Sequence, residues 1–325
     1  MKCWQVEKFC EPNEMVFADV ARPEPGPGEV RIRVHAAGLN FFDVLQIQGK
    51  YQVKPSFPFT PGAEVAGVVD AAGPGVDSFA PGDRVLCNTS LGGYAEYAIG
   101  SAAKTFAIPE AMTFAEAAAL LIVYQTSYFA LDNRAKLRAG EWLLVHAGAS
   151  GVGMAATQLG IASGARVIAT AGSKAKLEFC RQQGAEHTLD YRDETWVEGV
   201  KQITGGRGAD VIYDPVGGDV FDLSSKCIAP GGRLLVVGFA SGRIPSIAAN
   251  RLLLKNMSAV GVFWGRQVTE GSNYLADTQR ELFRLYDEGK IRPVISDAYP
   301  LADAPSALAD IAGRRVIGKA VLTAV

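Results

Sequence analysis

The stretch Trp142-Leu143-Leu144-Val145-His146-Ala147-Gly148-Ala149-Ser150-Gly151-Val152-Gly153 constrains this chain more than any other. Four apolar residues lead into small ones and then into Met154-Ala155-Ala156-Thr157-Gln158-Leu159. That order predicts a buried strand, a tight glycine turn and a helix start. The N-terminus of a helix presents unpaired N–H groups and the positive end of its dipole, so an anion sits well there. Glycine lets the backbone approach a pyrophosphate that a Cβ would block. Laid on G-x-G-x-x-G, the stretch gives Gly148, Ser150 and Gly153, with serine in the middle place. In this strand–turn–helix setting the pattern predicts a dinucleotide site, with Ser150, Gly151, Val152 and Gly153 on the phosphates.

The next apolar run, Ala165-Arg166-Val167-Ile168-Ala169-Thr170, is expected to end beside the adenosine ribose. A site for NAD places Asp or Glu there to hold the 2′-hydroxyl. No acidic residue lies between Glu141 and Glu178. Gly172, Ser173, Lys174 and Lys176 stand there instead, offering hydroxyl and ammonium contacts to a 2′-phosphate. The alternative is that they are solvated residues of a helix start. The combination, with no acid, predicts NADPH.

A chain of 325 residues is long enough for two domains with ample core. Its net charge of −2 implies no general affinity for polyanions and argues against nucleic acid as a partner. No apolar run reaches membrane-spanning length, and Met1-Lys2-Cys3-Trp4 lacks the apolar region of a signal peptide. The cysteines at 3, 10, 87, 180 and 227 are scattered and odd in number, which predicts a reduced, cytoplasmic setting without disulfides or a zinc cluster.

Residues 1–120 read as β-rich. Glu29-Val30-Arg31-Ile32-Arg33-Val34 alternates as a half-buried antiparallel strand does. A short helix is expected to follow Ala36–Asp43 and end near Gly49. The segments 59–69, 82–85 and 92–97 read as short strands punctuated by glycine, the pattern of a small barrel. From Thr113 the period turns helical. Strands and helices then alternate at 142–147, 151–163, 165–170, 174–183, 187–189, 195–203, 209–213, 218–228 and 232–237, which predicts an α/β, doubly wound parallel sheet. A helix near 273–286 and a strand near 318–323 are expected to return to the first domain, with nicotinamide and substrate held between the two.

The segments A-A-G-L-N-F-F-D (36–43), F-P-F-T-P-G-A-E-V-A-G-V-V (57–69), H-A-G-A-S-G-V-G (146–153), G-A-D-V-I-Y-D-P-V-G-G (208–218), A-P-G-G-R-L-L-V-V-G-F (229–239) and G-R-R-V-I-G-K-A-V-L (313–322) occur in this order. Together they resemble the zinc-independent quinone oxidoreductases of the medium-chain dehydrogenase/reductase superfamily, essentially end to end. The resemblance implies a GroES-like β-barrel catalytic domain over 1–120. It implies a Rossmann domain over 121–263 that binds NADPH, and a segment 264–325 that returns to the first. Zinc-dependent relatives hold catalytic metal through a cysteine and a histidine, at places that correspond to Asn40 and Ala63. Neither residue is a zinc ligand, and His35, His146 and His187 lack metal-ligand spacing, so no metal site is expected.

Without a strong Lewis acid, alcohol oxidation is disfavoured, whereas a quinone accepts hydride with little help. Holding two rings close and oriented, with weak polar donors, is then sufficient. The expected activity is NADPH-dependent quinone reduction, with reduction of an activated C=C bond in an enal, enone or enoyl thioester as the alternative. A nicotinamide-binding protein without catalysis is the reading from another class. By resemblance, Asn40 donates to nicotinamide or substrate, or else caps the helix beginning at Phe41. Asp43 is more often a structural hydrogen-bonding residue, and Tyr51 lines the substrate side or is a buried structural phenol. Leu45 stands where some relatives carry tyrosine. Thr126 either backs the nicotinamide or faces the core. Lys176 and Tyr191 resemble the lysine and tyrosine that clasp the adenosine phosphate, and Arg314, or else Arg315, resembles an arginine reaching the same group. Gly217, Gly238 and Phe239 close later turns along the cofactor, and Phe263 walls the cleft or packs domains. The uncharged segment Met257–Phe263 reads as a sheet edge, and relatives pair such edges, so a homodimer is expected.

Overall fold

The computed structural model describes residues 1–269 and 273–324. Two compact units divide it: Met1–Ile122 with Pro293–Val325, and Val123–Arg292.

In the first unit, β1 (Lys2–Gln5) and β2 (Val16–Asp19) form an antiparallel pair. Then follow β3 (Glu29–Gly38), α1 (Phe41–Ile47), β4 (Glu64–Ala72), β5 (Arg84–Asn88), β6 (Tyr97–Ser101), β7 (Thr105–Ala107) and α2 (Phe114–Ala118). The alternation read in β3 is real. Val30, Ile32 and Val34 are fully buried, while Glu29, Arg31 and Arg33 lie on the other face, where Arg31 is covered by its bonds to Asp70 and Pro23 O. Burying each such side chain stabilises the fold by roughly 1.5–3 kcal/mol. Helix α1 stops before Gly49, which takes φ of 69° against the Phe9 ring. Helix α2 opens on Thr113, whose Oγ1 accepts from Glu116 N–H while the Glu116 carboxylate accepts from Thr113 N–H, a reciprocal cap. The expected strand at 92–97 is instead a loop: the N–H groups of Gly92, Gly93 and Tyr94 donate to carbonyls of Thr60, Gly62 and Pro61, and regular pairing begins at Tyr97.

The chain enters the second unit along α3 (Leu121–Tyr128), followed by β8 (Trp142–Val145), α4 (Gly151–Ala162), β9 (Arg166–Ala171), α5 (Lys174–Gln182), β10 (His187–Asp190) and α6 (Trp196–Ile203). It continues through β11 (Ala209–Asp214), α7 (Gly218–Cys227), β12 (Ile228–Val236), α8 (Ala249–Lys255), β13 (Ser258–Gly261), α9 (Trp264–Thr269) and α10 (Tyr274–Asp287). The six strands pair in the order β10-β9-β8-β11-β12-β13, all parallel. This is the doubly wound sheet predicted from the alternation. Leu143, Leu144, Val145, Val211, Ile212 and Tyr213 are completely buried, as strands covered on both faces must be.

The return to the first unit differs from expectation. It begins at Pro293, not at 264, and α10 stays with the nucleotide unit. The reason is its apolar stripe: Leu275, Leu282 and Leu285 are buried, and Gln125 Nε2 donates to Leu275 O (3.0 Å) and Gln279 Oε1 (3.1 Å). The returning segment supplies β14 (Ile295–Pro300), α11 (Ala304–Ala312) and β15 (Lys319–Thr323). Strand β3 pairs with β4 along one flank, and on the other with β6 over residues 29–33 and β15 over 36–38. So β3 carries the seven-stranded sheet and sets its C-terminal end, where Asn40 follows, against β15.

Candidate functional site

The glycine turn after β8 is built from the inside. Ala147 adopts φ of 49°, and Ser150 Oγ donates to Ala147 O (2.8 Å) while accepting from Gly153 N–H (3.1 Å). The hydroxyl of Ser150 is thus spent on capping α4, which explains how serine serves in the middle place of the fingerprint. A Cβ on Gly153 would collide with Ala147 O, so glycine is required for the close approach of helix to turn. The first turn of α4 carries no acidic residue and opens with Gly151 and Val152. That end of the helix suits a phosphate.

Beyond β9, Ser173 caps α5, its Oγ accepting from Lys176 N–H (3.3 Å). Gly172 lies beneath the Tyr191 ring; a Cβ there would stand 2.5 Å from the phenol oxygen. The structure therefore sets the Tyr191 phenol beside Gly172, next to the turn where Ser173 caps the backbone of Lys176. It also adds what the sequence window missed. Parallel pairing of β9 with β10 sets Asp190 opposite Ala171, so an acid does stand near the strand end. Arg192 grips it through Nε (3.0 Å) and Nη2 (2.6 Å), and this bridge holds the Asp190 carboxyl below the usual carboxylate range.

At the end of β11, Asp214 Oδ1 accepts from Val216 N–H (2.8 Å) and Gly217 N–H (3.0 Å), shaping the next turn. Burial pushes its carboxyl up to about 6 against those two donors. Gly217, with φ of 68°, lies against Phe239, and Gly238 against Pro215, so these three expected residues share one turn region. Thr126 is partly buried on α3. Its neighbour Ser127 donates to Val152 O (3.1 Å) and so ties α3 to the glycine turn. Phe263 is half exposed just after β13. His146 is a core residue: Ser224 Oγ donates to Val220 O, so His146 Nε2–H donates to Ser224 (2.8 Å) and Nδ1 accepts from Thr170 (2.9 Å). Burial depresses its pKa to about 3.

In the first unit, Asn40, between the end of β3 and the start of α1, is held from three sides, by α1, β4 and β15. Its N–H donates to Asp43 Oδ2 (2.8 Å), its Nδ2 donates to Glu64 Oε1 (2.8 Å), and its Oδ1 accepts from Lys319 Nζ (2.8 Å). Lys319 also donates to Leu39 O (2.7 Å) and Glu64 Oε1 (2.8 Å), and Glu64 Oε2 accepts from Ile122 N–H (2.8 Å). Gly38 leaves room for Glu64; any Cβ there would overlap its carboxylate. The helix-start reading of Asn40 is partly met, because Asn40 and Asp43 do share a cap. Glu64 and Lys319 were not foreseen. Asp43 lies below them, fully buried, with Tyr94 Oη donating to Oδ2 (2.7 Å) and no partner for Oδ1 among the described residues. Burial pushes its carboxyl up to about 7, more than Tyr94, Asn40 and Lys319 pull it down. Tyr51 is half-buried and packs on Phe42 with ring centroids 5.4 Å apart, and burial raises its phenol. Arg314 sits in the turn after α11 with φ of 56°, and Arg315 Nε donates to Asp310 Oδ1 (2.5 Å).

A doubly wound parallel sheet with this turn, together with a β unit of this topology, defines a medium-chain dehydrogenase/reductase. Residues 26–110 match the alcohol dehydrogenase GroES-like domain, and residues 151–279 match the family described as zinc-binding dehydrogenase. A quinone oxidoreductase-like protein 2 homolog of Nematostella vectensis is 42% identical over 91% of this chain and 82% of its own. The Escherichia coli quinone oxidoreductase complexed with NADPH is 31% identical, covers 100% of both chains and superposes with a TM-score of 0.92. The CurK enoyl reductase, 26% identical, covers 99% of this chain and 98% of its own with a TM-score of 0.88. The chain belongs to the zeta-crystallin-like quinone oxidoreductase family of this superfamily.

Proposed function

We propose that this protein reduces quinones with NADPH and without a metal. NADPH-dependent oxidoreduction is the activity class of the family, and the residues present suit that cofactor. Gly151 and Val152 open the α4 N-terminus toward an anion, and a Cβ at Gly172 would fill the space beneath Tyr191. Ser173, Lys176 and Tyr191 would meet the adenosine phosphate. Gly217, Gly238 and Phe239 would run along the cofactor with Thr126 and Phe263. The bound dinucleotide supplies hydride from C4 of its nicotinamide.

The observation that carries the metal-free reading is the cluster at Asn40. Where zinc-dependent relatives place a ligand, this chain places an amide 2.8 Å from the Lys319 ammonium. A divalent cation there would face that positive charge, with Glu64 and a largely neutral Asp43 as the only carboxyls of the cluster among the described residues. An amide hydrogen bond suffices for an acceptor as reactive as a quinone, and Asn40 and Tyr51 are the residues assigned to it. The reading extends to a cytoplasmic homodimer joined along β13; the five cysteines are all unpaired, and no helix among the described residues is long and apolar enough to cross a membrane.

Reduction of a conjugated C=C bond is the second reading. It needs a proton delivered to carbon, and Tyr51, a half-buried phenol beside Phe42, is the side chain assigned to that end of the site. The test is steady-state kinetics with phenanthrenequinone and crotonaldehyde, each with NADPH and NADH. The proposal expects kcat/KM for the quinone with NADPH to exceed every other pair by at least tenfold. A preference for the enal would replace it with the second reading.

A further inference from the structure

We infer that Glu64 and Lys319 are positioning residues that aim the side-chain amide of Asn40 at the substrate; this rests on the role given to Asn40 above. An ammonium only donates hydrogen bonds and a carboxylate only accepts them. Lys319 Nζ stands 2.8 Å from Asn40 Oδ1, and Glu64 Oε1 stands 2.8 Å from Asn40 Nδ2. A flipped amide would turn its N–H₂ to the ammonium and its carbonyl to the carboxylate, losing both bonds. Chemistry therefore assigns the two ends of this amide. It leaves one Nδ2 hydrogen with no partner among the described residues, and that hydrogen is the donor available to a substrate oxygen.

The two partners are themselves held. Glu64 Oε2 accepts from Ile122 N–H (2.8 Å), and Lys319 reaches Leu39 O (2.7 Å) as well as Glu64. Leu39 N–H donates to Ala320 O (3.1 Å), so β15 and the approach to Asn40 are locked in register. Lys319 is 2% exposed and Glu64 not at all. A buried ion pair of this kind adds little net stability over apolar residues of the same volume. What it supplies is direction: a donor fixed before reaction needs no reorganisation when charge develops on the substrate oxygen.

The test is a catalytic double-mutant cycle with phenanthrenequinone and saturating NADPH. Asn40→Ala forms one arm, and the paired replacement of Glu64→Gln with Lys319→Met, which leaves no lone buried charge, forms the other. The expected result is a fall in kcat of roughly ten- to a hundredfold in each arm. The combined variant should be no more than about threefold worse than Asn40→Ala alone, because the pair acts through that amide. Dissociation constants for NADPH should stay within twofold of the parent. If Asn40→Ala keeps parental turnover, the role of Asn40 itself is wrong and this inference goes with it. If Asn40→Ala is slow but the paired variant turns over normally, or the two losses multiply, Asn40 stands and the positioning role is overturned. Should the paired variant not fold, Lys319→Arg carries the test. Its planar guanidinium keeps the charge but cannot place its donors as the ammonium does, so the same fall in kcat with unchanged NADPH affinity is expected, and parental kcat overturns the inference.

Discussion

Asp43 Oδ2 accepts from Tyr94 and from Asn40 N–H, while Oδ1, equally buried, has no partner among the described residues. Two donors do not repay the transfer of a full charge from water, so the neutral form is favoured and the pKa rises to about 7. In the unfolded chain an aspartate titrates near 3.9. Below both values the folded and unfolded states are equally protonated. As pH climbs from about 4 through 7 the folded state holds the extra proton, so stability falls with pH, by on the order of a few kcal/mol in all. An asparagine in its place would keep both accepted bonds through its amide oxygen and would not titrate. Asp43→Asn is therefore expected to gain stability over the parent as pH rises from 5 to 8. His146, depressed to about 3, works the opposite way but cancels between the two proteins. Urea unfolding at both pH values checks this, and a gap that does not change with pH would refute it. Asn40 was legible at this scale from its motif. Its partners were not, because Lys319 lies 255 positions from Glu64 and only strand pairing brings them together.

At the scale of elements, period and turn chemistry carried the nucleotide unit. Buried parallel strands read as short apolar runs, and glycines mark where helices must approach them. β14 escaped notice because most of its residues face outward and leave no alternation to read. α10 was recognised as a helix but assigned to the wrong unit, since an apolar stripe does not say which core it fills. The absence of an acid after β9 was a true statement about sequence and an incomplete one about space, given Asp190 opposite Ala171. Its charge is answered by Arg192, so the preference for a 2′-phosphate is kept. Gly172 tests the clasp directly. Its φ is ordinary for any residue, so alanine there strains no backbone, but the new Cβ displaces the Tyr191 phenol, which is exposed and can yield. Gly172→Ala should weaken NADPH binding by roughly tenfold, the loss of about one charge-assisted hydrogen bond. NADH binding and the melting temperature should change little. Fluorescence titration with both cofactors decides it, and equal losses for NADH and NADPH would show that Tyr191 does not address the phosphate.

For the whole molecule, the β13 edge of the six-stranded sheet is a feature that a single chain leaves unsatisfied. β13 pairs on one side only, with β12. Its sequence Ser258-Ala259-Val260-Gly261 carries no charge, proline or bulge of the kind that protects an edge from pairing. Close by in sequence, Leu253 and Leu254 of α8 are 75% and 78% exposed and Phe263 is 48% exposed. Leaving such side chains in water forgoes roughly 1.5–3 kcal/mol each. A second copy meeting this edge about a twofold axis would complete the ladder and cover the leucines on both sides, since a twofold interface uses one patch twice. The expected species in light scattering at micromolar concentration is therefore a dimer. Leu253→Glu with Leu254→Glu should yield a monomer with the melting curve of a folded protein, because both leucines lie outside the core of their own chain. Like charges placed across the axis repel, and the effect should ease at high salt, where such repulsion is screened. A parent protein that runs as a monomer, or a double glutamate variant that stays dimeric, would remove β13 and α8 as the interface.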